Sequence, residues 1–162
     1  MEDFVHSQGV IWLPHILRRL SNRFVEACDQ VFEEFGLIVP HNAVSVVHFL
    51  YAHGPQPVMA IAQATTQSHP LINSYVRTLK TLSVAQTHID PADRRRTIVS
   101  LTDLGLEQAR ALLAARDAFV PAYRRLMGEA DAEVFEGLWR LEAALRERPF
   151  AERVRAERVI KT

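Results

Sequence analysis

The sequence has little cysteine, no long apolar run and no net charge, and each shortage excludes a class of protein. A single cysteine, Cys28, among 162 residues leaves no internal disulfide and fits the reducing cytoplasm. No apolar run reaches the roughly 18 residues that a membrane span needs. The first residues also lack the basic and apolar stretches of a signal peptide. We therefore expect a cytoplasmic protein that does not contact membranes.

Catalytic motifs are also missing from the sequence. It contains no Gly-x-Ser-x-Gly, no glycine-rich phosphate loop and no His-Glu-x-x-His. Its six glycines are few for a catalytic scaffold. Cys28 has no activating base beside it in the sequence. The sequence therefore predicts a protein that is not an enzyme and that needs no cofactor.

The charges cancel, but they are unevenly distributed. The chain has 19 Lys and Arg against 19 Asp and Glu, which argues against a uniformly basic nucleic-acid binder. Between Asn42 and Gly105, however, five basic residues stand against three acidic ones, a net charge of +2 that leaves −2 for the rest. The neutral total therefore conceals a mildly basic middle segment.

Apolar residues recur every three or four positions from Val10 to Phe35, which predicts one long amphipathic helix. Pro14 is tolerated only in a first turn, so the regular helix should begin near Leu13 and end at Gly36. A second helix should run from about Asn42 to His53. The length of the chain fits one domain with a core of its own.

The next two helices are short and lie close together. Val58 to Ala64 predicts one, the triplet Thr65-Thr66-Gln67 interrupts it, and a second begins at Ser68, whose side chain can cap free amides. That second helix should bury one face, consisting of Leu71, Ile72, Tyr75, Val76, Leu79 and Leu82. Two helices joined in this way form a helix-turn-helix candidate, although any pair of short core helices imitates the pattern.

The periodicity then changes to that of strands, over Val84–Ile89 and Thr97–Leu101. The loop between them contains Arg94, Arg95 and Arg96, so the hairpin would be a wing. A guanidinium fits the narrow, electronegative minor groove, while Asn and Arg pair with adenine and guanine in the major groove. The alternative is a charged, solvated turn.

Two helices should follow the wing. The first is long, capped by Thr102-Asp103, kinked at Pro121 and ended by Gly128. The second should run from about Ala130 to Glu147, and the charged tail from Phe150 to Thr162 should be a solvated helix.

The stretch from Asp93 to Gly105, DRRRTIVSLTDLG, matches a D-x-R-x5-L-T-x-x-G signature. In this stretch and in the order of its helices, the chain resembles the MarR (multiple antibiotic resistance regulator) family. The resemblance implies a mainly α winged helix-turn-helix with a small β-hairpin wing and long terminal dimerisation helices. It also implies a homodimeric transcriptional regulator, usually a repressor, that a small molecule often releases from a pseudo-palindromic DNA operator.

The resemblance assigns roles to individual residues. Arg95 would enter the minor groove and Asp93 would hold it, the alternative for Asp93 being a plain turn residue. Leu101 would be a buried anchor, Thr102 a helix cap and Gly105 a close-packing position. The full predicted DNA-binding set is Gln67, Ser68, His69, Asn73, Ser74, Arg77, Lys80, Asp93, Arg94, Arg95 and Arg96.

The chain departs from the family at two turns. Thr65-Thr66 stands where family members commonly have Leu-Gly, and Ser83 stands where they commonly have glycine. Glycine adopts a positive φ easily, whereas Thr or Ser costs on the order of 1 kcal/mol. A second hypothesis is therefore a winged-helix protein-interaction module with weakened or lost DNA binding.

The terminal helices have wide apolar faces that must be buried against something, which predicts an intertwined homodimer rather than a monomeric helical layer. Dimerisation would use residues 1–40 and 106–162, and residues 41–105 would form the DNA-binding lobe. A pocket between them would be lined by Trp12, His15, His48 and Tyr51 and would suit an aromatic or amphipathic effector.

The sequence also raises redox and metal sensing. Cys28 lies on the apolar stripe of the first long helix, so we interpret it as a buried thiol rather than a redox sensor. The seven histidines show no compact metal-binding spacing, and we expect no metal site. The remaining alternative is a site at which Cys28, His41 and Glu107 converge.

Overall fold

A computed structural model describes residues 3–160. Residues 1, 2, 161 and 162 of the predicted dimerisation region lie outside the described residues. The chain divides into two compact units, Met1–Ala115 and Arg116–Thr162. The predicted division into a lobe of residues 41–105 and flanking dimerisation segments stays a prediction.

The first unit opens with a short helix and a long one. Helix α1 spans Phe4–Ser7, a 3-10 turn covers Gly9–Trp12, and helix α2 spans Leu13–Phe32. Another 3-10 turn, Glu33–Phe35, leads to Gly36, which ends the segment with a φ of 66°. The predicted start at Leu13 and stop at Gly36 are confirmed. Cys28 is buried on α2, as predicted.

Three helices and a very short strand follow. A 3-10 turn, His41–Ala43, precedes helix α3, Val44–His53, and strand β1 is only Gln56–Pro57. Helices α4, Val58–Ala64, and α5, His69–Thr81, form the predicted pair. Strand β1 was not predicted, because two residues that include a proline carry no strand periodicity.

The sheet has three antiparallel strands in the order β1-β3-β2. Strand β2 spans Ala85–Ile89 and β3 spans Thr97–Leu101, as predicted to within one residue. Val99 of β3 lies opposite Thr87 of β2 on one side and Gln56 of β1 on the other.

The core of the first unit lies between this sheet and helices α3, α4 and α5. Aliphatic side chains from each element are inaccessible to water, and burying each one stabilises the fold by about 1.5–3 kcal/mol. The largest of them are Val39, Val46, Val47, Ile61, Ile72, Leu79, Val84 and Val99. This core fixes α5 with one face inward.

Helix α6 spans Asp103–Ala130, and it continues past Pro121. The prediction that Gly128 ends it is wrong. Gly128 does not adopt a left-handed conformation, and the amide of Asp131 donates to the carbonyl of Met127 at 2.8 Å, so the helix ends two residues later, at Ala130.

Beyond α6, the second unit contains helices α7, Val134–Glu147, and α8, Phe150–Ile160. Helix α7 begins four residues later than predicted, because Asp131 caps the turn before it by accepting the amide of Glu133 at 2.9 Å. The Arg153 guanidinium donates to the carbonyls of Ala144, at 2.7 Å, and Arg148, at 3.1 Å. Within the described residues, no helix combines the length and apolar character needed to cross a membrane.

Candidate nucleic-acid interface

Helix α5 presents a polar face because its apolar face is fixed in the core. Ile72, Val76 and Leu79 are buried. The predicted DNA-facing residues on this helix and its cap are all exposed: Ser68, His69, Asn73, Ser74, Arg77 and Lys80. Leu71, predicted to face inward, is instead 40% exposed, because it lies one residue from Ile72 at the margin of the buried face. The structure thus provides an exposed surface of the predicted composition.

The start of α5 differs from the prediction for Ser68. Its side chain makes no capping hydrogen bond, and its carbonyl accepts the amides of Leu71 and Ile72, each at 3.1 Å. The Ser68 hydroxyl is therefore not committed to the helix end. Gln67 is half-buried, and its Oε1 is shielded without a hydrogen-bond partner among residues 3–160.

The turn between α4 and α5 places Thr66 in the left-handed region, with a φ of 52°. The neighbouring Thr65 hydroxyl donates back to the carbonyl of Ile61 at 2.8 Å and closes α4. The expectation that this turn needs a positive φ is therefore confirmed, and a β-branched residue supplies it.

One hydrogen bond links two of the exposed polar residues on α5. The side-chain nitrogen Nδ2 of Asn73 lies 3.1 Å from Nδ1 of His69, one helical turn earlier. When Nδ2 donates to this ring nitrogen, Asn73 keeps Oδ1 and its second N–H free. Those are the groups that an asparagine uses to pair with adenine.

The wing loop is closed by its own backbone and by two aspartates. The amide of Asp90 donates to the carbonyl of Arg96 at 2.9 Å, and the amide of Arg96 donates to the carbonyl of Asp93 at 2.8 Å. Oδ1 of Asp90 accepts the amide of Ala92 at 2.9 Å. These bonds define the loop that carries the arginines.

Asp93 and Arg95 interact as the resemblance implies. Oδ1 of Asp93 accepts the amide of Arg95 at 3.1 Å and its Nε at 3.2 Å. The hydrogen bond from the Arg95 guanidinium, and then the one from the Arg95 backbone amide, lower the pKa of Asp93, so the carboxylate stays ionised. The Arg95 side chain is nevertheless 92% exposed, which leaves its guanidinium available to a ligand.

The junction between α5 and β2 contains the second left-handed residue, Ser83, with a φ of 58°. Its carbonyl accepts the Thr102 hydroxyl at 2.6 Å, and Oγ1 of Thr102 accepts the amide of Gly105 at 3.0 Å. A Cβ at Gly105 would collide with the carbonyl oxygen of Val84. Thr102 and Gly105 have the cap and packing roles predicted, whereas Leu101 is half-buried rather than buried.

Two tertiary contacts were not predicted from the sequence. Lys80, expected to face DNA, donates from Nζ to the Thr87 hydroxyl of β2 at 2.9 Å. The buried Gln108 of α6 accepts the amide of Ile38 at 2.8 Å and donates to the carbonyl of Gly36 at 3.0 Å. No local sequence pattern predicts such pairs. A polar residue at an inward helical position, such as Gln108, does indicate that the side chain has a hydrogen-bond partner inside the protein.

The residues predicted to line an effector pocket lie in pairs on different helices. Trp12 and His15 make an edge-to-face contact with centroids 5.8 Å apart at the start of α2. His48 and Tyr51 lie on α3, where Tyr51 is 38% exposed. A small depression lined by residues that include Val5, Trp12, Ile16 and Arg19 contains none of the other three. A pocket formed by all four stays a prediction.

Among residues 3–160, no three His, Cys, Asp or Glu side chains lie close enough together to hold a metal ion. The alternative in which Cys28, His41 and Glu107 converge is therefore not supported. The amide of His41 instead donates to Oδ1 of Asp29 at 3.0 Å, and its ring contacts Phe32.

The comparison with known structures settles the fold. A probable transcriptional regulator from Pseudomonas aeruginosa superposes with a TM-score of 0.60 at 25% identity, covering 82% of this chain and 96% of that one. The chain has the MarR-type winged helix-turn-helix fold. A structure of BpsR from Bordetella bronchiseptica, from work on regulation of its DNA binding by 6-hydroxynicotinic acid, shares this fold. It superposes with a TM-score of 0.61 at 22% identity, covering 82% of this chain and 97% of the BpsR chain.

Sequence comparison agrees with the fold. The HTH-type transcriptional repressor NicR from Pseudomonas putida is 30% identical over 117 residues, which cover 69% of this chain. The aligned part spans 65% of the length of NicR. No family model matches the chain. In this fold α4 and α5 form the helix-turn-helix, and the β2–β3 hairpin forms the wing.

Proposed function

We propose that the chain is a homodimeric transcriptional repressor that binds double-stranded operator DNA and is released from it by a small molecule. The observation that carries this proposal is the wing, where Asp93 accepts a hydrogen bond from Arg95 Nε while the Arg95 side chain remains 92% exposed. The exposed polar face of α5 supplies a second DNA-binding surface beside the wing. The similarity to the repressor NicR supports the same function.

In this proposal the two elements read different grooves. The polar face of α5 lies in the major groove, and the wing places Arg95 in the minor groove. The DNA-facing segment has only five basic residues, so non-specific affinity should be modest. Specificity then depends on a few side chains such as Asn73 and Arg77.

The test is an Arg95→Ala variant in a binding assay with the DNA immediately upstream of the gene, over a series of salt concentrations. We expect binding to be lost while the unfolding midpoint is unchanged, because the Arg95 side chain is exposed. Arg23→Ala, which removes an exposed arginine of α2, is the matched control and should bind normally. Normal binding by Arg95→Ala would refute the assignment of the wing.

The same assay addresses the alternative function. If the wild-type protein bound no DNA even at low salt, the protein-interaction module would be favoured. The structure gives that alternative no specific support, because Thr66 and Ser83 adopt the positive φ angles that the turns require. Thr66 and Ser83 therefore have the backbone conformation that a glycine would be expected to supply at these two turns.

The homodimer is proposed from an exposed apolar stripe on α2. Leu13, Leu17, Leu20 and Phe24 recur every three or four residues, and each is more than a third exposed in the single chain. Such a stripe normally packs against a partner. In the second unit, α7 carries a separate exposed group, Val134, Phe135, Leu138, Trp139 and Leu145.

A charge placed on the α2 stripe tests the dimer. We expect Leu20→Glu to produce monomers in sedimentation velocity experiments, because a desolvated carboxylate without a partner is costly at an interface. Asn22→Glu, which changes the opposite face of the same helix, should remain dimeric. A Leu20→Glu protein that sediments as a dimer would show that this stripe is not the interface.

For the effector we propose a small aromatic acid. BpsR, whose DNA binding is regulated by 6-hydroxynicotinic acid, has the same fold. An effector releases DNA only if it binds better to a DNA-free conformation. 6-Hydroxynicotinic acid itself is the probe: it should raise the melting temperature and weaken DNA binding. Trp12→Phe tests the predicted pocket.

We also infer that the protein is a cytoplasmic regulator without catalytic activity.

A further inference from the structure

The contact between Lys80 and Thr87 joins the recognition helix to the wing. The ammonium of Lys80, in the last turn of α5, lies 2.9 Å from Oγ1 of Thr87 in β2. The Lys80 ammonium, on the exposed face of α5, is therefore hydrogen-bonded within the protein. Lys80 is therefore oriented towards the protein, not only towards solvent.

Thr87 is itself held firmly. It is half-buried, and it lies opposite Val99, which is completely buried in the central strand β3. Its side chain lies on the same face of the sheet as Ala85, which is also buried. The hydrogen bond to Thr87 therefore connects Lys80 to a strand that is paired with the buried centre of the sheet.

The chain between these two residues is strained. Ser83, at a φ of 58°, connects α5 to β2. The Ser83 amide donates to the Lys80 carbonyl at 3.0 Å. Lys80 therefore contacts Ser83 through its carbonyl and Thr87 of β2 through its side chain. The angle between the helix and the wing depends on Ser83, a left-handed residue that is not glycine. The Lys80 side chain connects the two elements across this turn.

The residue type also fits this role. Lys80 and Lys161 are the only lysines in the sequence, and the other 17 of its 19 Lys and Arg residues are arginines. An ammonium is a compact point donor that suits a single hydroxyl, whereas a guanidinium suits the two oxygens of a phosphate. We propose that Lys80 is a positioning residue that fixes the wing relative to the recognition helix, rather than a phosphate ligand. This inference rests on the proposed DNA binding.

The salt dependence of DNA binding separates the two roles. Each phosphate contact adds about 0.9 to the slope of log K against log salt concentration. The experiment uses the full-length protein and a duplex that the wild type selects from a random DNA library. The variants are Lys80→Met, Thr87→Val and the double variant, and Thr87→Ser, which keeps the hydroxyl, is the control.

The positioning role predicts that both single variants bind about three- to tenfold more weakly, since each loses the same hydrogen bond. The double variant should be no weaker than either single variant, the salt slope should be unchanged, and Thr87→Ser should bind like the wild type. A slope reduced by about one for Lys80→Met, with normal binding by Thr87→Val, would overturn the proposal. Two single variants that bind normally would also overturn it.

The coupling in unfolding distinguishes this proposal from the proposed function. If the wild type selects no DNA, the DNA-binding proposal fails. The wild type, the two single variants and the double variant then still report on the contact, because urea unfolding of these four proteins gives the Lys80–Thr87 coupling directly. A coupling of about two- to fivefold in the unfolding equilibrium constant is expected, and purely additive effects would overturn the link between helix and wing.

Discussion

Replacing Thr66 and Ser83 by glycine should stabilise the protein, because both residues hold a positive φ without being glycine. The left-handed conformation costs an L-residue about 1–2 kcal/mol, and glycine removes this cost. Glycine also increases the entropy of the unfolded chain, which opposes the gain by about 0.5–1 kcal/mol. The expected net gain is about 0.5–1 kcal/mol at each position.

The surroundings of the two residues support this estimate. Both side chains are exposed, so little packing is lost when they are removed. The bond that Ser83 makes to Thr102 uses its carbonyl, which glycine retains. The two positions lie at opposite ends of α5, so their effects should add to about 1–2 kcal/mol.

Urea unfolding at constant protein concentration measures these changes. The midpoints of Thr66→Gly, Ser83→Gly and the double variant should rise while the dependence on urea concentration stays the same. Gln63→Gly, at an exposed position inside α4, is the control and should lower the midpoint, by about 1 kcal/mol in stability. Glycine variants no more stable than the wild type would refute the assignment of strain to these two turns.

The remaining predictions concern other contacts of the first unit and the long helix. Gly105→Ala should destabilise the protein by about 1–3 kcal/mol in urea unfolding, because the new methyl group meets the Val84 carbonyl oxygen. Gly128→Ala, where a Cβ meets nothing within 4 Å, should instead stabilise it by about 0.5–1 kcal/mol, and the opposite order would contradict the packing described. The Arg19 guanidinium lowers the pKa of Asp3 from its ordinary value of 3.8, so their ion pair should persist at and above pH 3.8 and be lost as the pH falls through the lowered pKa. An NMR titration of the Asp3 carboxyl with a midpoint at or above 3.8 would disprove this.

Local patterns predicted most of the secondary structure and both special turns. The helix over Val58–Ala64 has the predicted bounds, and the left-handed conformations of Thr66 and Ser83 appear where the family commonly has glycine. Asp93 and Arg95 are adjacent enough in sequence for their contact to follow from the signature. Features with a local cause were therefore accessible to sequence reasoning.

Features that depend on the assembled fold were not accessible in this way. Strand β1 exists only because β3 offers it a partner. The bond from Lys80 to Thr87 depends on the turn at Ser83, and a helical face alone suggests that Lys80 points to solvent. The continuation of α6 beyond Gly128 depends on the carbonyl of Met127, which accepts an amide past the glycine.

The first two turns of α6 connect distant parts of the first unit. Gly105 packs against the junction that precedes the wing, while Gln108 holds the loop that follows α2. These two residues are about 4.5 Å apart along the helix axis. A shift of α6 by about 1 Å along its axis would disturb both contacts at once, because both residues lie on this helix. A change at the end of α2 that displaces α6 should therefore also alter the packing at the base of the wing.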